Sequence, residues 1–247
     1  MDVNTPSTKN PVRIKYLTFS GILGTSRRDF RRMQNSSFGT NIIEPGTEYI
    51  SNFSNQTINA PSETKTRTNS VYGSAKFDYK GYLYAEFTGR NDWSSTLPVN
   101  NNSYFYPSAT LSAIVSDMFQ MPRSVSLVKV RAAYAEVGND TSPYSLTNVF
   151  NNQVAWGSDQ AKTESSVLSN ADLRPERTAS TEFGLDLRFF ENRLGFDFTY
   201  YDNVTRDQII PITLDIATGY NSRIINAGKI QNSGIEIVML ANPIKKQ

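Results

Sequence analysis

The sequence predicts an all-β fold of antiparallel strands, of the kind that crosses a membrane as a segment of a β-barrel. Three observations lead there. Apolar residues recur at every second position in a series of short stretches along the chain. Short turns lie at one end of these stretches and long polar connections at the other, an asymmetry typical of transmembrane barrels. Aromatic residues gather near the strand ends, as interfacial girdles do.

The first strand is read at Tyr16–Leu23 (YLTFSGIL). The run TSRRDFRR follows, and the polar stretch from Met33 to Thr68 reads as one long connection. Arg27, Arg28, Arg31 and Arg32 are expected to form a solvated strand end, with lipid phosphate as the less favoured partner. SVYGSAKFDYKGYLYAEFTGRNDW is a hairpin whose faces match only if an odd number of residues closes it around Lys80-Gly81. The three-residue version sets Lys76 opposite Glu86, a favourable cross-strand pair. Tyr104–Ser116 alternates next, with Phe105, Ala109, Leu111, Ala113 and Val115 on one face. SDMFQMP reads as a single helical turn ended by Pro122. In Leu127–Val137 the residues Val128, Val130, Ala132 and Tyr134 share the apolar face, with Lys129 and Arg131 on the other.

A second long connection leads to the clearest stretch, TEFGLDLRFFENRLGFDFTYY, from Thr181 to Tyr201. A two-residue turn at Glu191-Asn192 places Phe189 opposite Leu194, Leu187 opposite Phe196, Leu185 opposite Phe198 and Phe183 opposite Tyr200. A slip of one residue would move each of them to the wrong face. Asn tolerates the positive φ of such turns. The same register faces Asp186 with Asp197, a repulsion that a hydrated surface screens. A loop through TRDQIIPITLDIATGYNSRI and a last strand at Ser233–Leu240 complete about eight strands.

Composition narrows the function. The 25 basic and 23 acidic residues nearly cancel, which argues against nucleic acid as a partner. Cysteine and histidine are both absent, so thiolate chemistry, disulfides and the commonest general base and metal ligand are unavailable. We therefore expect no enzyme, no catalytic residue, no metal and no cofactor. No run is long and apolar enough for a membrane-spanning helix, which leaves barrel strands untouched as a possibility. Met1 is followed by DVNTPSTKN, which has no signal-peptide pattern and suggests an internal piece of a longer exported chain.

On the strings GRNDWSSTLPVNNNSYFYPSATLSAIVSDMF and LVKVRAAYAEVGNDTSPY, the chain resembles the SusC/RagA-type TonB-linked outer-membrane proteins. LRPERTASTEFGLDLRFFENRLGFDFTYYDNVTRDQII and NAGKIQNSGIEI look like the same family's barrel. The resemblance runs from about residue 17 onward and implies a segment of a larger barrel of roughly 22 strands, with short periplasmic turns and long extracellular loops. Residues 1–247 would then be a partial barrel in the outer membrane of a Gram-negative cell, without plug domain, TonB box or terminal strands. The partners it implies are outer-membrane lipid, a SusD-like lipoprotein, TonB through the N-terminal region, and a glycan or peptide substrate.

Arg90, Asp92, Asp186, Arg188 and Asp197 fall on the polar parity and are the candidate substrate contacts of a charged lumen, beside the plainer reading of a hydrated wall. Trp156, in a long loop, is the candidate for stacking on a sugar ring, whereas Trp93 shares the apolar parity and reads as an interface anchor. The alternative is a secreted β-sandwich or adhesin-like carbohydrate-binding module, in which the apolar faces would pack on each other. What covers the apolar parity decides between them.

Overall fold

Period-two alternation becomes a single antiparallel ladder. The computed structural model describes residues 2–8, 12–152, 159 and 161–242. In chain order the strands are β1 (Asp2–Thr8), β2 (Val12–Ile14), β3 (Leu17–Gln34), β4 (Ser37–Ile42), β5 (Phe53–Ile58), β6 (Ser62–Tyr79), β7 (Leu83–Ser94) and β8 (Ser103–Ile114). A helical turn, α1 (Val115–Met118), leads to β9 (Val125–Asn139). The next connection contains β10 (Phe150–Asn152), β11 (Lys162–Glu164) and β12 (Val167–Leu168). Then come β13 (Glu176–Phe189), β14 (Leu194–Arg206), β15 (Ile209–Thr213), β16 (Ser222–Asn226) and β17 (Lys229–Ala241).

The main sheet has ten strands in the order β1-β3-β6-β7-β8-β9-β13-β14-β17, with β2 also on β3. Spatial neighbours follow chain order, and every pair in this sheet is antiparallel. The eight strands expected from alternation are β3, β6, β7, β8, β9, β13, β14 and β17. β1 and β2 are additions: the polar DVNTPST has no alternation to reveal it, and it is held by backbone pairing of Asp2 with Arg28 through Thr8 with Ile22.

The register of β13 on β14 pairs Leu187 with Phe196, Leu185 with Phe198 and Phe183 with Tyr200, as the alternation requires. Glu191 and Asn192 have φ of 57° and 66°, and the Arg193 amide donates to the Phe190 carbonyl at 3.2 Å. Positive φ at both central residues is the type I′ turn, whose twist suits a hairpin. The β6–β7 hairpin closes through Lys80, Gly81 and Tyr82, pairs Lys76 with Glu86, and brings Lys76 Nζ within 3.2 Å of Glu86 Oε1.

The long connections are shorter than expected. β3 and β6 run 18 residues each and pair from Leu17–Tyr79 as far as Gln34–Ser62, so both ends of the Met33–Thr68 stretch are ladder. Its remainder carries the β4–β5 hairpin. Apolar alternation stops where a strand leaves an apolar environment, but backbone pairing need not stop there. Likewise β15 and β16 form a hairpin in the last connection, with β12 parallel to β16. The helical turn ends at Phe119, three residues before Pro122, where the Phe119 amide donates to the Val115 carbonyl at 3.2 Å.

No second sheet covers the apolar face of the described residues: Phe87, Phe105, Leu111, Val130, Phe183 and Ile237 all stay exposed. The sandwich expectation fails on this point. The buried apolar cluster lies instead at the long-loop end, where Leu97, Tyr104 and Leu173 pack with Tyr106, Leu146, Ile209 and Ile224. Three connections meet there over the polar side of β8. Asn226 ties two of them, accepting from the Arg174 amide at 2.8 Å and donating to the Arg174 and Asp207 carbonyls at 2.7 and 2.9 Å.

The I′ turn is a local test of this register. Asn192→Val puts a β-branched side chain at φ 66° and should destabilise the hairpin by about 1–2 kcal/mol. A lowered thermal unfolding midpoint in detergent is the expected result. An unchanged midpoint would mean that the turn closes in another conformation.

Candidate functional site: the polar wall

The face opposite the apolar one carries charged residues of β6, β7, β9, β13 and β14, and side-chain contacts gather several of them into two clusters. The upper cluster lies beneath the folded loops. Arg90 Nε donates to Asp92 Oδ1 at 2.7 Å, and an Arg90 terminal nitrogen donates to Ser70 Oγ at 2.9 Å. The Tyr106 hydroxyl donates to Asp92 Oδ2. The Arg90 guanidinium sits 5.9 Å from the Tyr72 ring centroid, a cation–π contact. Tyr104 and Tyr106 stack with centroids 5.9 Å apart. Asp92 is only 6% exposed, so its charge is held by Arg90 and Tyr106 rather than by bulk water. The Ser94 hydroxyl donates to Asp140 and thereby ties the loop after β9 to the end of β7. A polar cavity of about 270 Å³ opens here between Arg28, Ser70, Arg90, Asp92, Tyr104 and Asp140.

The lower cluster lies near the short turns. Arg131 on β9 reaches across β13 to β14, where its terminal nitrogens donate to Asp197 at 3.2 and 2.8 Å and to Thr199 Oγ1 at 2.6 Å. The crossing needs Gly184, because a Cβ there would lie 2.1 Å from Arg131 Nε. Arg188 donates to both oxygens of Asp186 at 2.8 and 3.3 Å. Asp186 does face Asp197. Each carboxylate has its own guanidinium, so the repulsion is cancelled by specific pairs and not by solvent screening alone.

The expected site residues therefore separate. Arg90 and Asp92 belong to the upper cluster, and Asp186, Arg188 and Asp197 to the lower. Extending the ladder through Arg90–Tyr106 and Ser108–Ala135 puts Arg90 level with Thr178. Asp186 then lies eight residues further down, roughly 26 Å along the strand and three strand spacings, roughly 14 Å, to the side. Trp156 lies outside the described residues. Ser70, Tyr106 and Asp140 join the site without having been singled out. Tyr104 and Tyr106, at a strand end where an aromatic girdle would lie, face the polar side. The outward parity of Phe105 already implied this, since its two neighbours must point the other way.

These geometries have counterparts. The TonB-dependent receptor-like β-barrel family model matches residues 4–241. The chain belongs to this family. TonB-dependent receptor P3 of Formosa agariphila is 31% identical over 189 residues, covering 74% of this chain and 19% of that protein. TonB-dependent receptor SusC of Bacteroides thetaiotaomicron is 26% identical over 191 residues, covering 73% and 19%. The chain thus spans about a fifth of the length of the curated relatives it matches. Among solved structures, the RagAB peptide importer in its closed-closed state superposes with a TM-score of 0.83 at 19% identity, over 100% of this chain and 28% of that one. The siderophore receptor PirA from Acinetobacter baumannii gives 0.63 at 17% identity, over 96% and 34%. These structures share the fold, an antiparallel transmembrane β-barrel. In this TonB-dependent receptor segment the apolar face is accordingly the lipid side and the polar wall the lumen side.

Two outcomes test the wall. Arg131→Ala leaves Asp197 facing Asp186 without its partner and should cost about 1–2 kcal/mol, given that the pair is partly exposed. Adding Asp197→Asn should recover part of that loss in a double-mutant cycle of unfolding midpoints, whereas strict additivity would deny the coupling. The second concerns the loops. The Tyr220 hydroxyl donates to Glu164 Oε1 at 2.6 Å and Asn148 Nδ2 donates to the same atom at 3.2 Å. These bonds hold the Glu164 carboxyl below the ordinary glutamate range, and the contact holds the Tyr220 hydroxyl above the ordinary tyrosine range. A depressed carboxyl stabilises above its unfolded pKa, about 4.3, and the effect is lost as pH falls through the folded value. Amide protection factors in 162–164 and 220–222, each rate taken relative to the intrinsic exchange rate at that pH, should be flat from about pH 5 to 9 and fall in acid. An equal loss of protection in acid in Glu164→Gln would remove Glu164 as the cause.

Proposed function

We propose that this chain forms part of the lumen wall of an outer-membrane TonB-dependent transporter that takes up oligosaccharides or peptides. In this reading it lies in the outer membrane of a Gram-negative cell, within a longer chain that supplies a plug and the contact to TonB, and it works with a SusD-like lipoprotein on the cell surface. The observation that carries the reading is the upper cluster. Arg90, Asp92 and Ser70, with Tyr106 bonded to Asp92, present paired donors and acceptors to a polar cavity at the loop end of a lumen wall, which Tyr104 also lines. Such an array suits ligands rich in hydroxyls or amides. The lumen placement comes from family membership, and the peptide cargo of the RagAB importer among the similar structures supports a peptide as one candidate cargo. Arg90 and Asp92 are the proposed substrate contacts. Asp186, Arg188 and Asp197, locked in mutual pairs, serve the lower wall.

The test is uptake in the native host. Deletion of the full-length receptor gene should abolish growth on one class from a panel of oligosaccharides and peptides, and the wild-type gene should restore it. Arg90→Ala, which removes charged hydrogen bonds of this strength, should lower uptake about tenfold at unchanged surface level. Growth of the deletion strain on every cargo in the panel would overturn the import reading. Normal uptake by Arg90→Ala would overturn the assigned contact.

A further inference from the structure

The outward side of β3 and β6 changes character along its length. From the turn end, the outward residues of β3 are Leu17, Phe19, Gly21, Leu23 and Thr25, and their β6 partners are Tyr79, Phe77, Ala75, Gly73 and Val71. None is charged. The next outward positions are Arg27, Asp29 and Arg31 on β3, with Asn69, Arg67 and Lys65 opposite them on β6 and Glu63 one outward position further. Four cations and two carboxylates therefore share a small patch. They form two triads. Asp29 accepts from Arg27 Nε at 2.8 Å and from Arg67 Nε at 2.5 Å. Glu63 accepts from Arg31 Nε and lies 2.7 Å from Lys65 Nζ. Each triad keeps one positive charge in excess. Among the described residues the three guanidiniums hydrogen-bond through Nε alone, which leaves their terminal nitrogens for a second anion. A groove of about 530 Å³ runs beside Asp29, Arg31, Lys65 and Arg67.

The height of the patch identifies the anion. At the turn end Lys80 Nζ lies 5.0 and 5.3 Å from the Tyr16 and Tyr79 rings, an aromatic and cationic collar of the kind found at a bilayer surface. Ten residues of strand separate Leu17 from Arg27. That is roughly 33 Å along the strand and, at a tilt of roughly 40°, roughly 25 Å of height, the thickness of the apolar band. Trp93 marks the same level independently: it faces outward, 39% exposed, opposite Asn69, which pairs with Arg27. An indole anchors at the head-group plane. The patch begins where phosphates of the outer leaflet lie.

We propose that Arg27, Arg31, Lys65 and Arg67 bind the phosphate-bearing head group of an outer-leaflet lipid, with Asp29 and Glu63 holding the four cations in place. The site lies on the lipid side of the wall and is independent of the import reading. Phosphate suits it because a planar guanidinium fork takes two phosphate oxygens at once.

The experiment uses the full-length receptor in detergent, with native mass spectrometry of retained lipid A and of its dephosphorylated form. Wild type should retain the phosphorylated lipid preferentially. Arg31→Gln and Arg67→Gln should each weaken that retention about fivefold, the effect of one basic residue near an anionic surface. Arg32→Gln, on the lumen side of the same strand, should leave it unchanged. Equal retention of both lipid forms by wild type would overturn the proposal, as would loss in Arg32→Gln equal to that in Arg31→Gln. Inorganic phosphate at millimolar concentration should not displace the lipid. Displacement would make this a free-anion site and overturn the lipid assignment.

Discussion

The interstrand backbone ladder is the constraint on which the rest of this structure depends. In hydrocarbon every amide and carbonyl must find a partner within the protein, so strands that cross it pair continuously with both neighbours. Continuous pairing fixes the two-residue period, and the period sends alternate side chains to opposite faces. One register decision at the Glu191-Asn192 turn then settles the environment of every residue from Glu176 to Arg206. Lipid-facing and lumen-facing chemistry are thereby separated between adjacent residues of one strand.

Parity alone would leave the lumen side a row of charges with some like signs adjacent. The structure resolves this by letting long side chains travel sideways over small ones. Arg131 crosses Gly184 to reach Asp197, two strands away. Arg188 lies over Gly195, where a Cβ would be 2.6 Å from its terminal nitrogen. Glycine on this face serves as a gap that lets a guanidinium lie flat on the sheet. The same arrangement places lumen charges in fixed orientations. A solvated wall therefore also presents defined donors, and this matters for any cargo with hydroxyl or amide groups.

The loops follow a different rule. Beyond the apolar band their backbone can bond to water, so alternation is relaxed and short strands, turns and side-chain ties take over. Leu97, Leu173, Ile209 and Ile224 come from three separate connections and meet over Tyr104 and Tyr106. This small cluster is where the described residues bury apolar area most completely, with Leu173 at 0% exposure. It sits over the lumen face and not over the lipid face, and it brings Asp140 against Ser94 at the rim of the polar cavity.

The sequence by itself determined the period, the register of the β13–β14 hairpin, the odd length of the β6–β7 turn and the side to which Arg90, Asp92, Asp186, Arg188 and Asp197 point. It did so because those properties depend on residues a few positions apart along the chain or directly across a tight turn. The family resemblance was legible in the same strands. Alternation could not reveal β1, whose residues carry no polarity pattern, or the upper halves of β3 and β6, which leave the apolar band while still paired. It also could not divide five candidate charges into two clusters. That division depends on how far each strand is offset from its neighbours, a sum over several registers. The tertiary structure alone decided that Tyr106 holds Asp92 and that Arg131 holds Asp197. The reason is physical: these partners lie 14 and 66 residues apart in the chain, and only the folded sheet brings them within a hydrogen bond of each other.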